Sequence, residues 1–86
     1  MTTIAYIGIG ANLGDARATV EYAIEKLSQF PSTRLQQASS LFVTAPIDSS
    51  GDDYINAVAR INTSLDAEAL LHHLQDLELA CGRERP

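Results

Sequence analysis

The chain has 86 residues, of which 45% are hydrophobic, and this length suffices for one small domain. Its formal net charge is −5 with only six Lys and Arg, which argues against a nucleic-acid-binding protein, because that binding requires basic side chains to neutralise phosphates. The N-terminal apolar run is too short to span a bilayer, and the single cysteine, Cys81, cannot form an internal disulfide. These features predict a cytoplasmic protein without nucleic-acid or membrane partners.

The first predicted elements are a strand and a helix. Residues Ile4 to Gly10 are short, β-branched and aromatic, which predicts a buried strand that ends at glycine. From Asp15 to Phe30 the spacing becomes helical, with Asp15 as the N-cap and Pro31 predicted to end the helix. The residues on its core-facing side are Val20, Ala23, Ile24 and Leu27.

Two further strands and a second helix follow. One strand is predicted from Arg34 to Thr44, and residues 45–53 are predicted to form a loop because they are rich in Pro, Gly, Ser and Asp. Strict alternation then predicts a strand from Tyr54 to Asn62. Asp66 is predicted to cap a helix that Gly82 ends, and its core-facing residues are Leu70, Leu74, Leu77 and Cys81.

The predicted order β-α-β-β-α indicates an α+β fold. An antiparallel sheet with two helices on one face is the start of the βαββαβ ferredoxin-like pattern, whose final strand is absent from these residues. Residues 1–86 are expected to form a single, partial domain of this kind.

Three motifs that suggest other sites have a simpler interpretation. The segment Gly8–Gly14 does not match the dinucleotide fingerprint, because Leu13 stands in place of the third glycine, and no lysine follows to make a phosphate-binding loop. The loop acids Asp48, Asp52 and Asp53 do not match calcium-loop spacing and are predicted to form a solvated surface. Adjacent histidines on one helix point about 100° apart, so His72 and His73 cannot chelate one ion together.

Polar groups suggest a ligand site in two places. Tyr54 and Asn56 share a face of their strand, where a ring and an amide are suited to a flat heterocycle, although polar residues on an exposed sheet face are common. Arg83 and Arg85 follow the second helix, where they suit either its C-terminal carbonyls or the phosphates of a ligand.

Taken in order, these segments resemble the 6-hydroxymethyl-7,8-dihydropterin pyrophosphokinases. AYIGIGANLGD is similar to the family's opening strand and its G-S-N-L-G type turn. The stretch from Ser39 to Arg85 carries S-S-x-Y/F-x-T-x-P, Y-x-N-A, T-x-L and E-x-x-x-G-R-x-R in the family's order and spacing. The resemblance covers essentially the whole chain and implies a folate-pathway enzyme that transfers diphosphate from ATP to the hydroxymethyl group of a reduced pterin, releasing AMP.

The resemblance also implies roles for individual residues. Its pterin-binding positions correspond here to Gly10, Thr44, Pro46, Ile47, Tyr54 and Asn56. The adenine-nucleotide side corresponds to Leu71, Gln75, Glu78 and Arg85, and Arg83 is the expected catalytic residue that stabilises the transition state.

The family's metal site has no counterpart in these residues. Members continue past G-R-x-R to a strand with D-x-D, whose aspartates hold two Mg²⁺ ions on the ATP phosphates, and no D-x-D occurs among the 86 residues. The resemblance therefore implies a Mg²⁺ cofactor whose ligands are absent here, and the chain alone is expected to turn over ATP negligibly.

Two expectations concern partners. In the ferredoxin-like arrangement the last strand pairs beside the first, so its absence predicts an open edge on Ile4 to Gly10 and a homodimer or aggregation through that edge. The competing interpretation of the whole chain is a non-catalytic ferredoxin-like module that binds a small ligand or a partner strand.

Overall fold

A computed structural model describes residues 1–46 and 51–81 of the chain. Its elements are β1 (Thr3–Ala11), α1 (Ala16–Leu27), β2 (Thr33–Ala38), β3 (Phe42–Thr44), β4 (Tyr54–Thr63) and α2 (Ala67–Ala80). Neither α1 nor α2, the helices of these described residues, is long and apolar enough to cross a membrane.

The long strand β4 is the centre of the antiparallel sheet. It pairs with β1 along one side, and with β2 and β3 in succession along the other. Both helices lie on one face, where they enclose a cleft above β1. This arrangement confirms the predicted α+β ferredoxin-like fold, with β1 beside the strand that precedes α2.

The core lies between α1 and the sheet. Val20, Ala23 and Leu27 on α1 are buried as their spacing predicts, and Ile24 is half-buried beside them. On β4 the predicted alternation places Ala57, Ala59, Ile61 and Thr63 on the buried, helix-facing side. By contrast, the predicted stripe of α2, which consists of Leu70, Leu74, Leu77 and Cys81, is only half-buried.

Both helices begin at the predicted aspartates. The Asp15 carboxylate accepts a hydrogen bond from the Ala18 amide at 3.1 Å, and the Asp66 carboxylate accepts one from the Ala69 amide at 2.8 Å. The predicted end of the first helix at Phe30 was wrong, since α1 ends at Leu27. Hydrogen bonds between residues three apart follow the helix: the Gln29 amide donates to the Lys26 carbonyl, and the Phe30 amide donates to the Leu27 carbonyl. A turn, and not proline, therefore ends the helix.

The prediction of one continuous strand from Arg34 to Thr44 was also wrong. Gln36 forms a bulge in β2, and the ladder stops at Ser39, where the chain separates β2 from β3. The Ser39 amide donates to the Val58 carbonyl at 2.8 Å, but the Val58 amide donates to the Ser39 hydroxyl at 2.9 Å. A side chain thus replaces a backbone carbonyl in the ladder, which a count of apolar residues cannot reveal.

Candidate functional site

The sheet face opposite the helices carries the polar residues of β4. Because side chains alternate along a strand, Tyr54, Asn56, Val58, Arg60 and Asn62 all lie on this open face. In the register of the sheet, Asn56 stands between Gly10 on β1 and Phe42 on β3, and Tyr54 stands opposite Thr44. The pairing of three strands therefore brings together residues that are far apart in sequence.

The Asn56 carboxamide is held by β3 and by its own strand. Its Nδ2 donates to the Thr44 hydroxyl at 2.9 Å, and it also approaches the carbonyl oxygens of Tyr54 at 3.3 Å and Phe42 at 3.4 Å. Carbonyl oxygens can only accept hydrogen bonds, so the NH₂ group must be the side of the amide that faces them. The remaining acceptor, Oδ1, consequently points to the other side, toward Gly10.

We call Gly10, Thr44, Tyr54 and Asn56 the Asn56 cluster. All four were predicted from the sequence as pterin-binding positions, and the fold gathers them at one end of the open face. An aromatic ring, an amide acceptor and a glycine without a side chain are suited to a flat heterocycle that carries N–H groups on its edge.

Two neighbours of the cluster were missed by the sequence interpretation. Phe42 lies two residues before Thr44 on the same face, is 45% exposed and supplies a carbonyl to Asn56. Asn12 donates from Nδ2 to the Asp52 carbonyl at 3.5 Å, which links the turn after β1 to the segment that enters β4. The alternation from Thr44 predicts the position of Phe42, but no signal in the sequence pairs Asn12 with Asp52.

The remaining predicted site residues are not part of this cluster. Pro46 is half-buried just after β3, whereas Ile47, Arg83 and Arg85 lie outside the described residues, as does the predicted helix end at Gly82. Leu71, Gln75 and Glu78 lie along one flank of α2, where Leu71 is 50% exposed and the other two are half-buried.

A cleft between α1, α2 and β1 lies on the helix face of the sheet, and the C-terminal turn of α2 borders it. Glu78 and Gly10 both line it, so the C-terminal turn of α2 lies near the end of β1. Its walls are mainly apolar and include Ile7, Ile9, Ala23, Leu27, Leu74 and Leu77. Three of the four residues of α2's predicted core stripe, Leu74, Leu77 and Cys81, therefore border the cleft, which explains why they are not fully buried.

The described residues do not offer a metal site of the kind that the resemblance implies. No group of three or more His, Cys, Asp or Glu side chains in residues 1–46 and 51–81 is arranged to hold a metal ion. Asp52 and Asp53 are exposed, and His73 packs its ring against Phe30 with centroids 5.2 Å apart.

Comparison with known proteins now identifies the family. The sequence model for 7,8-dihydro-6-hydroxymethylpterin-pyrophosphokinase (HPPK) matches residues 6–86. The chain belongs to this family.

Curated relatives agree with that assignment. The chain is 38% identical over 85 residues to a 2-amino-4-hydroxy-6-hydroxymethyldihydropteridine pyrophosphokinase of Pseudomonas putida, covering 99% of the chain and 71% of that protein. Proteins with the same name in Haemophilus influenzae and Methylorubrum extorquens are 38% and 37% identical over 94% and 96% of the chain. The chain spans 51% and 53% of those two proteins, so it corresponds to about half the length of several relatives that it matches.

Proposed function

We propose that the chain supplies the pterin-binding part of an enzyme of folate biosynthesis that transfers diphosphate from ATP to 6-hydroxymethyl-7,8-dihydropterin. Family membership supports the reaction, and one observation supports the site. The Asn56 amide is fixed by the Thr44 hydroxyl on the same open face as Tyr54. Residues 1–86 belong to one pyrophosphokinase domain in this proposal, and a cytoplasmic location follows from the pool of ATP that it uses.

Each residue of the Asn56 cluster has a role in pterin binding. Asn56 Oδ1 accepts a hydrogen bond from an N–H group on the pterin edge, since its NH₂ group is already bonded to Thr44. The Tyr54 ring packs against the plane of the heterocycle, and Gly10 leaves space above β1. Pro46 and Ile47 contribute backbone and apolar contacts to the pterin in this proposal, as the family resemblance implies.

The nucleotide belongs on the α2 side of the cleft in this proposal. Leu71, Gln75 and Glu78 contact the adenine nucleotide, Arg85 binds its phosphates, and Arg83 stabilises the charge that develops during diphosphate transfer. Glu78 and Gly10 both line the cleft, so the C-terminal turn of α2 lies near the end of β1 that carries Gly10. Bound Mg²⁺ would neutralise charge on the phosphates, but its ligands are not among these residues.

Calorimetric titration with 6-hydroxymethyl-7,8-dihydropterin tests the pterin site. We expect saturable binding to the 86-residue chain, and no binding of adenosine at the same site, because adenosine does not present the pterin edge to Asn56. Absence of pterin binding by the folded chain would contradict the proposal and would favour the non-catalytic interaction module.

A coupled assay of AMP formation with the pterin, ATP and Mg²⁺ measures turnover separately. The sequence contains no D-x-D, so negligible AMP formation by the 86 residues is the expected result. Robust turnover would contradict that expectation and would require another metal-binding arrangement.

We also propose that β1 mediates a homodimer. Within residues 1–46 and 51–81, β1 pairs with β4 alone, and its sequence has neither proline nor charge to discourage pairing at the other edge. Antiparallel pairing about the middle of β1, at Ile7, brings each Tyr6 near its copy.

Sedimentation of the wild-type chain is expected to show a concentration-dependent dimer. Replacing Tyr6, which is 68% exposed on β1, by lysine is expected to abolish the dimer. The lysines of the two chains would repel each other across the two-fold axis of the paired strands. Val58→Lys adds the same charge to the same face of the central strand β4 and should retain the dimer. A clean wild-type monomer at high concentration would contradict the proposal.

A further inference from the structure

We infer that Gly10 is a positioning residue for Asn56, and that its lack of a side chain holds the Asn56 amide in the orientation that binds the pterin. This inference rests on the proposed function. The role differs from leaving space for the ligand, because Gly10 acts through its neighbour on β4.

The distance between the two residues carries the argument. A Cβ built on Gly10 would lie 2.9 Å from Asn56 Oδ1, which is closer than two such atoms can approach. The same Cβ would lie 3.9 Å from the Tyr54 ring, which is ordinary contact. The conflict therefore falls on the amide oxygen and spares the aromatic ring.

The amide cannot yield without losing its own hydrogen bonds. Its Nδ2 is anchored on Thr44 at 2.9 Å, so a rotation that moves Oδ1 away from Gly10 also moves the NH₂ group away from the hydroxyl. The two carbonyl oxygens near Nδ2 prevent the opposite orientation, because Oδ1 would then face acceptors. Gly10 and Thr44 thus confine the amide from opposite sides.

The β1 backbone does not explain the glycine. Neither Gly8 nor Gly10 adopts a positive φ, so alanine is compatible with the backbone at both positions. A Cβ on Gly8, two residues earlier on the same face, would meet nothing within 4 Å. Of these two glycines, Gly10 is the one whose added methyl group would meet a functional group, the Asn56 amide oxygen. Gly8→Ala is therefore the matched control.

The test combines side-chain NMR with pterin titration. In Gly10→Ala we expect the Asn56 side-chain NH₂ resonances to shift and pterin affinity to fall about tenfold, the effect of losing one well-placed hydrogen bond. Gly8→Ala should change neither quantity. In an Asn56→Ala background, Gly10→Ala should cause no further loss of affinity, because the group it displaces is already absent.

The possible failures are distinguishable. Unchanged Asn56 resonances and unchanged affinity in Gly10→Ala would overturn the positioning role while leaving the proposed function intact. Additive losses from Gly10→Ala and Asn56→Ala would also overturn it. If the wild-type chain bound no pterin, the proposed function would fail, and the NMR comparison would decide the positioning role without a ligand.

Discussion

Replacing Asn56 by alanine is expected to weaken binding of 6-hydroxymethyl-7,8-dihydropterin by about 5- to 140-fold. The substitution removes the Oδ1 acceptor, and leaving a polar group of the bound ligand without its partner costs about 1–3 kcal/mol, where about 1.4 kcal/mol corresponds to a factor of ten. It also removes the donor that Thr44 and the Phe42 carbonyl share. Calorimetric titration of the folded variant measures the change.

Asn62 offers a matched control for this experiment. It is an asparagine on the same face of the same strand, but it lies at the opposite end of β4, where it pairs with Ile4 and Arg34 instead of Gly10 and Phe42. Because of this position, Asn62→Ala should leave pterin affinity unchanged. Its Oδ1 is buried without a hydrogen-bond partner, so the substitution should not reduce stability through a lost bond. Equal losses of affinity in the two variants would contradict a specific role for Asn56.

Replacing Leu27 by alanine is expected to lower the free energy of unfolding by about 2–5 kcal/mol, because a fully buried leucine leaves a cavity that the core only partly fills. A domain of this length has a total stability of about 4–13 kcal/mol at typical values per residue. The variant should therefore unfold at a clearly lower urea concentration than the wild type. Urea denaturation followed by circular dichroism measures the loss.

Leu79 provides the corresponding control on the second helix. Its side chain is 64% exposed on α2, and Leu79→Ala should change the free energy of unfolding by no more than about 0.5 kcal/mol. A similar loss in the two variants would show that the core does not lie between α1 and the sheet.

Sequence patterns predicted the elements whose local chemistry is strong. Asp15 and Asp66 begin the two helices because a carboxylate can accept from the unbonded amides of a first turn without help from the rest of the fold. The alternation from Tyr54 to Asn62 fixed which side chains of β4 face the helices, and residues 54 and 56 were thereby assigned to a common face. The family motifs likewise identified all four residues of the Asn56 cluster.

Features that depend on partners distant in sequence were predicted less well. The break between β2 and β3 arises from the Ser39 hydroxyl bonding the Val58 amide, and a local pattern contains no information on that pairing. The end of α1 at Leu27 reflects a competition between α-helical and tighter hydrogen bonds over residues 28–30, before the chain reaches Pro31. The partial burial of α2 depends on the cleft that it shares with α1 and β1.

By itself, the sequence determined the family, the α+β order and the residue types of the proposed pterin site, since motif spacing and strand periodicity are local properties. Only the tertiary structure decided how those residues act on one another. The register of β1 and β3 against β4 places Gly10 and Thr44 on opposite sides of the Asn56 amide, and a contact between residues more than forty positions apart is set by strand pairing. The sequence predicted Gly10 as a position that leaves space for the ligand, and the structure places it against Asn56 Oδ1, which is the observation behind the proposed positioning role.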